Sequence, residues 1–172
     1  MNAICEIPEI RARILCLPEH NQNTIAAAVT GHSRNLTNDQ KLAALTTLMG
    51  TLAACNHQAP FHLETLRRIL GLTWGWLSAL DVFDLEVRIH EERERQHLLF
   101  LAGKFTFTCA STTASFSRKL RVLVEEIGEV AEAIDHIEIK KPSVRLATES
   151  LRDELVQVAA VTVAWLESEE AK

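Results

Sequence analysis

No apolar run in this chain approaches the ~20 residues that a membrane-spanning helix needs. The opening stretch, MNAICEIPEIRARIL, turns acidic and basic too early for a secretory signal, which points to a cytoplasmic protein. Positive charge is not in excess: the formal net charge of −5 argues against bulk attraction to nucleic acid or to an anionic membrane. The four cysteines, Cys5, Cys16, Cys55 and Cys109, form no C-x-x-C pair, so reduced and often buried thiols are the simplest reading. Cys55, His57 and His62 crowd together, but two-residue ligand spacings are missing and Pro60 interrupts them, which disfavours zinc. A glycine-rich phosphate loop is missing, so a P-loop nucleotide site is excluded. His90, His97 and His136 have no spacing that links them to a nucleophile, which leaves serine or cysteine hydrolase chemistry without support. Fixed-period repeats and low-complexity segments are absent too.

Six glycines and four prolines leave room for long helices, and the chain is rich in alanine, leucine, glutamate and arginine, with long stretches of helical periodicity. The reading is all-α, a helical bundle. With 47% apolar residues a sizeable core is available and global disorder is disfavoured. Short helices are expected over 6–16 and 22–30. Thr37 should cap a helix through NDQKLAALTTLMGTLAAC, and the loop NHQAP then leads to FHLETLRRILGL. Thr73 can cap a further helix running to about residue 102, with a break expected at Asp81–Asp84. The hydroxyl-rich segment GKFTFTCASTTASFS, 103–117, reads as an ordered loop. Ser117 should cap RKLRVLVEEIGEVAEAIDHIE, IKKPS should turn, and Ser143 should cap a last helix through VRLATESLRDELVQVAAVTVAWLES. A boundary near 80–86 divides an N-terminal helical region of unknown role, 1–82, from 83–172.

In the first region, LTNDQKLAALTTLMGTLAACNHQAPFHLETLRRILGL resembles the helix–loop–helix of TerB-like domains. Its central loop, CNHQAP, lacks the acidic residues of that family, so no ion-binding role is carried over. TLRRILGLTWGWLSAL can be drawn as a helix-turn-helix, but a recognition helix opening Trp-Gly-Trp offers a major groove little. Trp74 and Trp76 read as packing anchors.

The chemistry lies in the second region. On a helical wheel, Leu120, Leu123, Ile127, Val130 and Ile134 make an apolar stripe, and Glu125, Glu126 and Glu129 fall on roughly the opposite side. Alone, that is a solvated face. Gly128 sits mid-helix at a cost of ~1 kcal/mol relative to alanine, and a glycine there lets a backbone or ligand approach closely. Arg118, Lys119 and Arg121 crowd the helix start. The last helix, by contrast, is apolar almost all round from Leu155 to Leu166 and should be buried on several sides. Glu154 and Gln157, at its entry, therefore need polar partners. Carboxylates brought together there would need a proton or a cation, and Mg²⁺ suits hard oxygen ligands.

EEIGE (Glu125, Glu126, Glu129), followed about 25 residues later by ELVQ (Glu154, Gln157), resembles the E-E-x-x-E … E-x-x-D signature of MazG-like all-α nucleoside triphosphate pyrophosphohydrolases. The resemblance covers about residues 84–172. It implies a four-helix arrangement, assembly as a homodimer or higher homo-oligomer, and Mg²⁺-dependent hydrolysis of (d)NTPs to the monophosphate and pyrophosphate, with Mn²⁺ able to substitute. Carried over, Glu126, Glu129, Glu154 and Gln157 become metal ligands, and Glu125 and Glu126 the catalytic carboxylates, Glu125 either as an accessory ligand or positioning the attacking water. Lys104, Lys119 and Arg121 become candidates for the substrate phosphates. The departure is Gln157, which stands at the signature's aspartate and removes a negative charge; Asp153, one turn away, could compensate. The alternative reading is a catalytically degenerate module that binds a nucleotide or a protein without turnover.

Overall fold

Residues 36–55, 61–140 and 144–171 are described by the computed structural model. They form five helices and no strand: α1 (Asn38–Ala54), α2 (Phe61–Ala79), α3 (Leu85–Leu101), α4 (Phe116–Lys140) and α5 (Val144–Glu170). The expected helices over 6–16 and 22–30, the loop 56–60 on which the TerB-like resemblance turns, and the Ser143 cap lie outside the described residues.

Thr37 starts α1 as its position before the apolar period implies. Its hydroxyl accepts from the Gln40 N–H at 3.2 Å, and the Gln40 side chain accepts from the Thr37 N–H at 2.9 Å. Two N–H groups that the helix itself leaves unpaired are thereby satisfied. At the other end of the chain, Ser117 lies inside the first turn of α4. The capping position belongs instead to Ser115, whose carbonyl accepts from Arg118 and Lys119 and whose hydroxyl faces the Arg118 N–H.

A helix beginning at Thr73 is not observed, because α2 runs through it without a break. Thr73 is wholly buried, and its hydroxyl donates back to the Ile69 carbonyl at 2.9 Å. That bond satisfies the hydroxyl inside the helix and removes the reason for it to act as a cap. The helix-turn-helix drawing fails for the same reason. Trp76 is buried and donates its indole N–H to Asn38 Oδ1, tying α2 to the first turn of α1. The chain breaks at 80–84, where Asp81 (φ 54°) and Asp84 (φ 56°) take the left-handed conformation that aspartate adopts more readily than branched residues.

The core is continuous across that break. Leu45 and Leu52 of α1, Leu66, Ile69 and Leu77 of α2, and Leu85 and Ile89 of α3 join one cluster with α4 and α5. In α4 the inward stripe is Leu123, Ile127, Val130 and Ile134, as its period requires. The centre of the bundle is α5, which packs most extensively on α4, then on α2 and α3. Every residue from Val158 to Leu166 is buried. Each large aliphatic side chain there contributes about 1.5–3 kcal/mol of transfer free energy. Polar contacts set the approach of α3 and α2 to this helix: Arg93 pairs with Glu167 through its two terminal guanidinium nitrogens, and Arg152 donates to the Leu80 carbonyl at the end of α2. The segment between α3 and α4 is an ordered loop, anchored by buried Cys109 and Ala114. The Arg118 guanidinium covers the Phe107 ring at 4.2 Å and bonds Thr106 Oγ1 at 3.0 Å, fixing the loop to the start of α4.

Candidate metal centre

Because α4 and α5 are the closest pair in the bundle, the polar residues at their mutual edge meet. Glu126 and Glu129, three apart on α4, face Glu154 on α5, and one carboxylate oxygen from each lies within 4.8 Å of the others. Three carboxylates this close cannot all be ionised without a compensating charge. The Glu126 carboxyl is half-buried and is pushed up to about 7, first by burial and then by the charges of Glu129, Glu92, Glu125 and Glu154. Glu154 moves the same way, through burial and then through Glu129, which is within hydrogen-bonding reach; Asp153 adds to the effect and a bond from Gln157 opposes it.

Glu126 Oε2 is buried and has no hydrogen-bond partner. An anionic oxygen cut off from water costs several kcal/mol unless a proton or a cation meets it. Hard oxygen donors at this spacing suit Mg²⁺ or Mn²⁺, so the residues fit a divalent ion. Glu129 is exposed, which leaves that side of the cluster open to solvent ligands and to a substrate.

Gln157 is part of the same constellation in a different sense from Glu126. Its amide N–H donates to Glu154 Oε2, and its carbonyl oxygen accepts from Arg95 at 3.4 Å. It bridges α3 to the cluster. Asp153, at 71% side-chain exposure, points to Arg88 instead, 3.9 Å away.

The cluster opens onto a cavity of about 430 Å³. Glu125, Glu126 and Glu129 form one wall, and Lys104, Phe105 and Phe107 belong to the opposing loop. Of the cations expected to meet phosphate, Lys104 lines this cavity. Arg121 is exposed on α4, outside the lining residues. Lys119 is elsewhere altogether: it is wholly buried and donates to Ser168 near the end of α5. The helical period explains the difference, since Lys119 lies four residues before Leu123 and shares its inward face.

Two participants were not legible as such. Glu92 and Arg95 sit on α3 within HEERERQ, a run that reads as a solvated helix face. Yet the Glu92 side chain is only 12% exposed and is held by Arg95. A signal was present: Leu85, Ile89 and Glu92 fall on one helical stripe, so Glu92 continues the buried face of α3. The buried thiol of Cys109 also lines the cavity, and burial pushes it up to about 12, so it is no nucleophile near neutral pH.

Compared with family models, with curated proteins and with solved structures, the chain matches none.

Proposed function

We propose that the protein is a Mg²⁺-dependent nucleoside triphosphate pyrophosphohydrolase of the MazG-like kind, cleaving (d)NTPs to the monophosphate and pyrophosphate. The observation that carries this reading is the convergence of Glu126, Glu129 and Glu154, with a buried Glu126 oxygen left unpartnered, where Glu126 and Glu129 line a cavity that also holds a lysine. In this reading the three glutamates hold the ion. A bound divalent ion would polarise the phosphate oxygens and lower the pKa of water. Glu125, on the cavity wall, accepts the proton of the attacking water and orients it toward the α-phosphorus. Lys104 meets the departing pyrophosphate oxygens. The base and sugar lie toward Phe105 and Phe107, where an aromatic face and the hydroxyls of Thr106 and Thr108 are available. Cys109 forms no covalent intermediate.

The working form is a homodimer or higher homo-oligomer in the cytoplasm. Leu98 and Leu101, exposed at the end of α3, offer apolar surface for a second copy. The second reading, a module that binds nucleotide or protein without turnover, is favoured by one feature: Gln157 supplies no charge and is committed to Glu154 and Arg95. Pyrophosphate release from a panel of canonical and modified NTPs and dNTPs separates the two. Metal-dependent release that Glu129→Ala abolishes is expected. Nucleotide binding without release, by folded protein, would overturn the enzyme in favour of the binding module.

A further inference from the structure

The carboxylates around Glu126 fall into two groups, one toward α5 and one toward α3. Toward α5 lie Glu129 and Glu154, which share a small cleft with Glu132 and His136. Toward α3 lies Glu92, whose two oxygens are both taken by Arg95, from Nε at 2.6 Å and from Nη2 at 2.7 Å. Gln96 adds a third bond to Glu92 at 2.9 Å. This forked contact uses the planar guanidinium on a planar carboxylate, the geometry in which arginine binds most specifically. The same Nη2 reaches Gln157 Oε1 at 3.4 Å, and the other end of that amide donates to Glu154. On the Glu92 side the charges therefore sum to zero, through one carboxylate, one guanidinium and one neutral amide.

We propose that the Arg95 guanidinium is a built-in cation, filling the place beside Glu126 and Glu92 that a second divalent ion would occupy, so that each chain binds a single resident ion. The inference rests on the metal reading above and specifies it. In a two-ion site a carboxylate commonly lies between ions about 3.5–4 Å apart. Glu92, whose charge bears on Glu126, would be the outer ligand, but the Arg95 guanidinium, which lines the same cavity as Glu126, already occupies both Glu92 oxygens. Like charges in a partly buried site repel strongly, so a second ion could enter only by displacing Arg95. Gln157 belongs to this arrangement: an aspartate there would place a further negative charge against Glu154, whereas the amide offers its donor to Glu154 and its acceptor to Arg95. Arg95 is a positioning residue. It also lines a second cleft, of about 530 Å³, between α3 and α5, where its side chain is free to be replaced without opening the core.

The test is a titration of the full-length, metal-free protein with Mn²⁺, counting bound ions by the loss of the free Mn²⁺ electron paramagnetic resonance signal, with folding checked by circular dichroism. Wild type should bind one Mn²⁺ per chain. Arg95→Met and Arg95→Gln, which free Glu92, should each bind two. Arg95→Lys, which keeps the charge, should bind one, and the double variant Arg95→Met with Glu92→Gln should return to one. Two ions in wild type, or one in both neutral variants, would overturn the role of Arg95 while leaving a metal site in place. No Mn²⁺ bound by folded wild type would overturn the metal reading itself.

Discussion

Lys119 and Ser168 meet in the interior of the bundle: the lysine ammonium, with no exposed surface, donates to the serine hydroxyl, which in turn donates to the Trp165 carbonyl at 2.6 Å. Glu169 is 3.7 Å from the Lys119 ammonium and 3.8 Å from His62 Nε2 on α2, so one carboxylate links three helices. Removing one member of such a group strands the others in a medium that solvates them poorly. Lys119→Ala should cost roughly 3 kcal/mol of stability, read as a lower urea midpoint. Its Mn²⁺ affinity, measured where it is folded, should match wild type. A large loss of metal or phosphate binding with unchanged stability would contradict the structural assignment of this residue.

The metal-free protein should lose stability as pH rises from about 5 to about 8, and Glu126 should account for part of that loss. Its carboxyl is held near 7 in the folded chain against an ordinary value of 4.5, first by burial and then by its acidic neighbours. Across that window the folded chain keeps a proton that the unfolded chain has released. Stability therefore falls with rising pH, and the loss is complete above the folded value. Glu154, shifted the same way, adds to it. Thermal melts of wild type and Glu126→Gln should converge near pH 5 and separate near pH 8, the variant being the more stable. Saturating Mg²⁺ should remove the difference by stabilising wild type, and metal affinity should climb through pH 7 as the ion displaces the proton.

Gly128 separates two ideas that its position in the sequence had joined. A mid-helix glycine suggests a close approach by another backbone or a ligand. Here it is exposed, and a methyl group added to it would meet nothing within 4 Å. The backbone is helical, so alanine should stabilise the protein by about 0.5–1 kcal/mol, with Mn²⁺ binding unchanged. Chemical denaturation of Gly128→Ala measures the first. A variant that folds but loses the ion would show that something must come close to this turn after all.

The helix pattern could be read from the chain because it depends on local periodicity, and α5 in particular declared its central place by being apolar on every side. Glu126, Glu129 and Glu154 were legible for a related reason: polar residues beside a buried helix must find one another. What the period did not reveal was competition. Thr73 looks like a cap until the Ile69 carbonyl accepts its hydroxyl within a continuous helix. Lys119 looks like a phosphate ligand until the packing of α4 on α5 sets it against Ser168. Glu92 looks solvated because its own segment is highly charged, yet its side chain is mostly buried and its charge bears on Glu126.

Cys109 supplies the last contrast. A thiol in the wall of a cavity beside carboxylates invites a nucleophilic role, but reactivity needs the thiolate. Burial dominates its environment and raises it to about 12; Lys119 pulls the other way, and Glu126 reinforces the rise. Near pH 8 the thiolate is therefore scarce. Iodoacetamide at that pH, followed by peptide mass mapping, should modify the half-buried Cys55 well before Cys109 and leave Cys109 intact until denaturant is added. Lys119→Met removes the one charge that favours the thiolate, so in the folded variant Cys109 should become slower still. Rapid labelling of Cys109 in native protein would mean that the cavity opens far more than its packing implies.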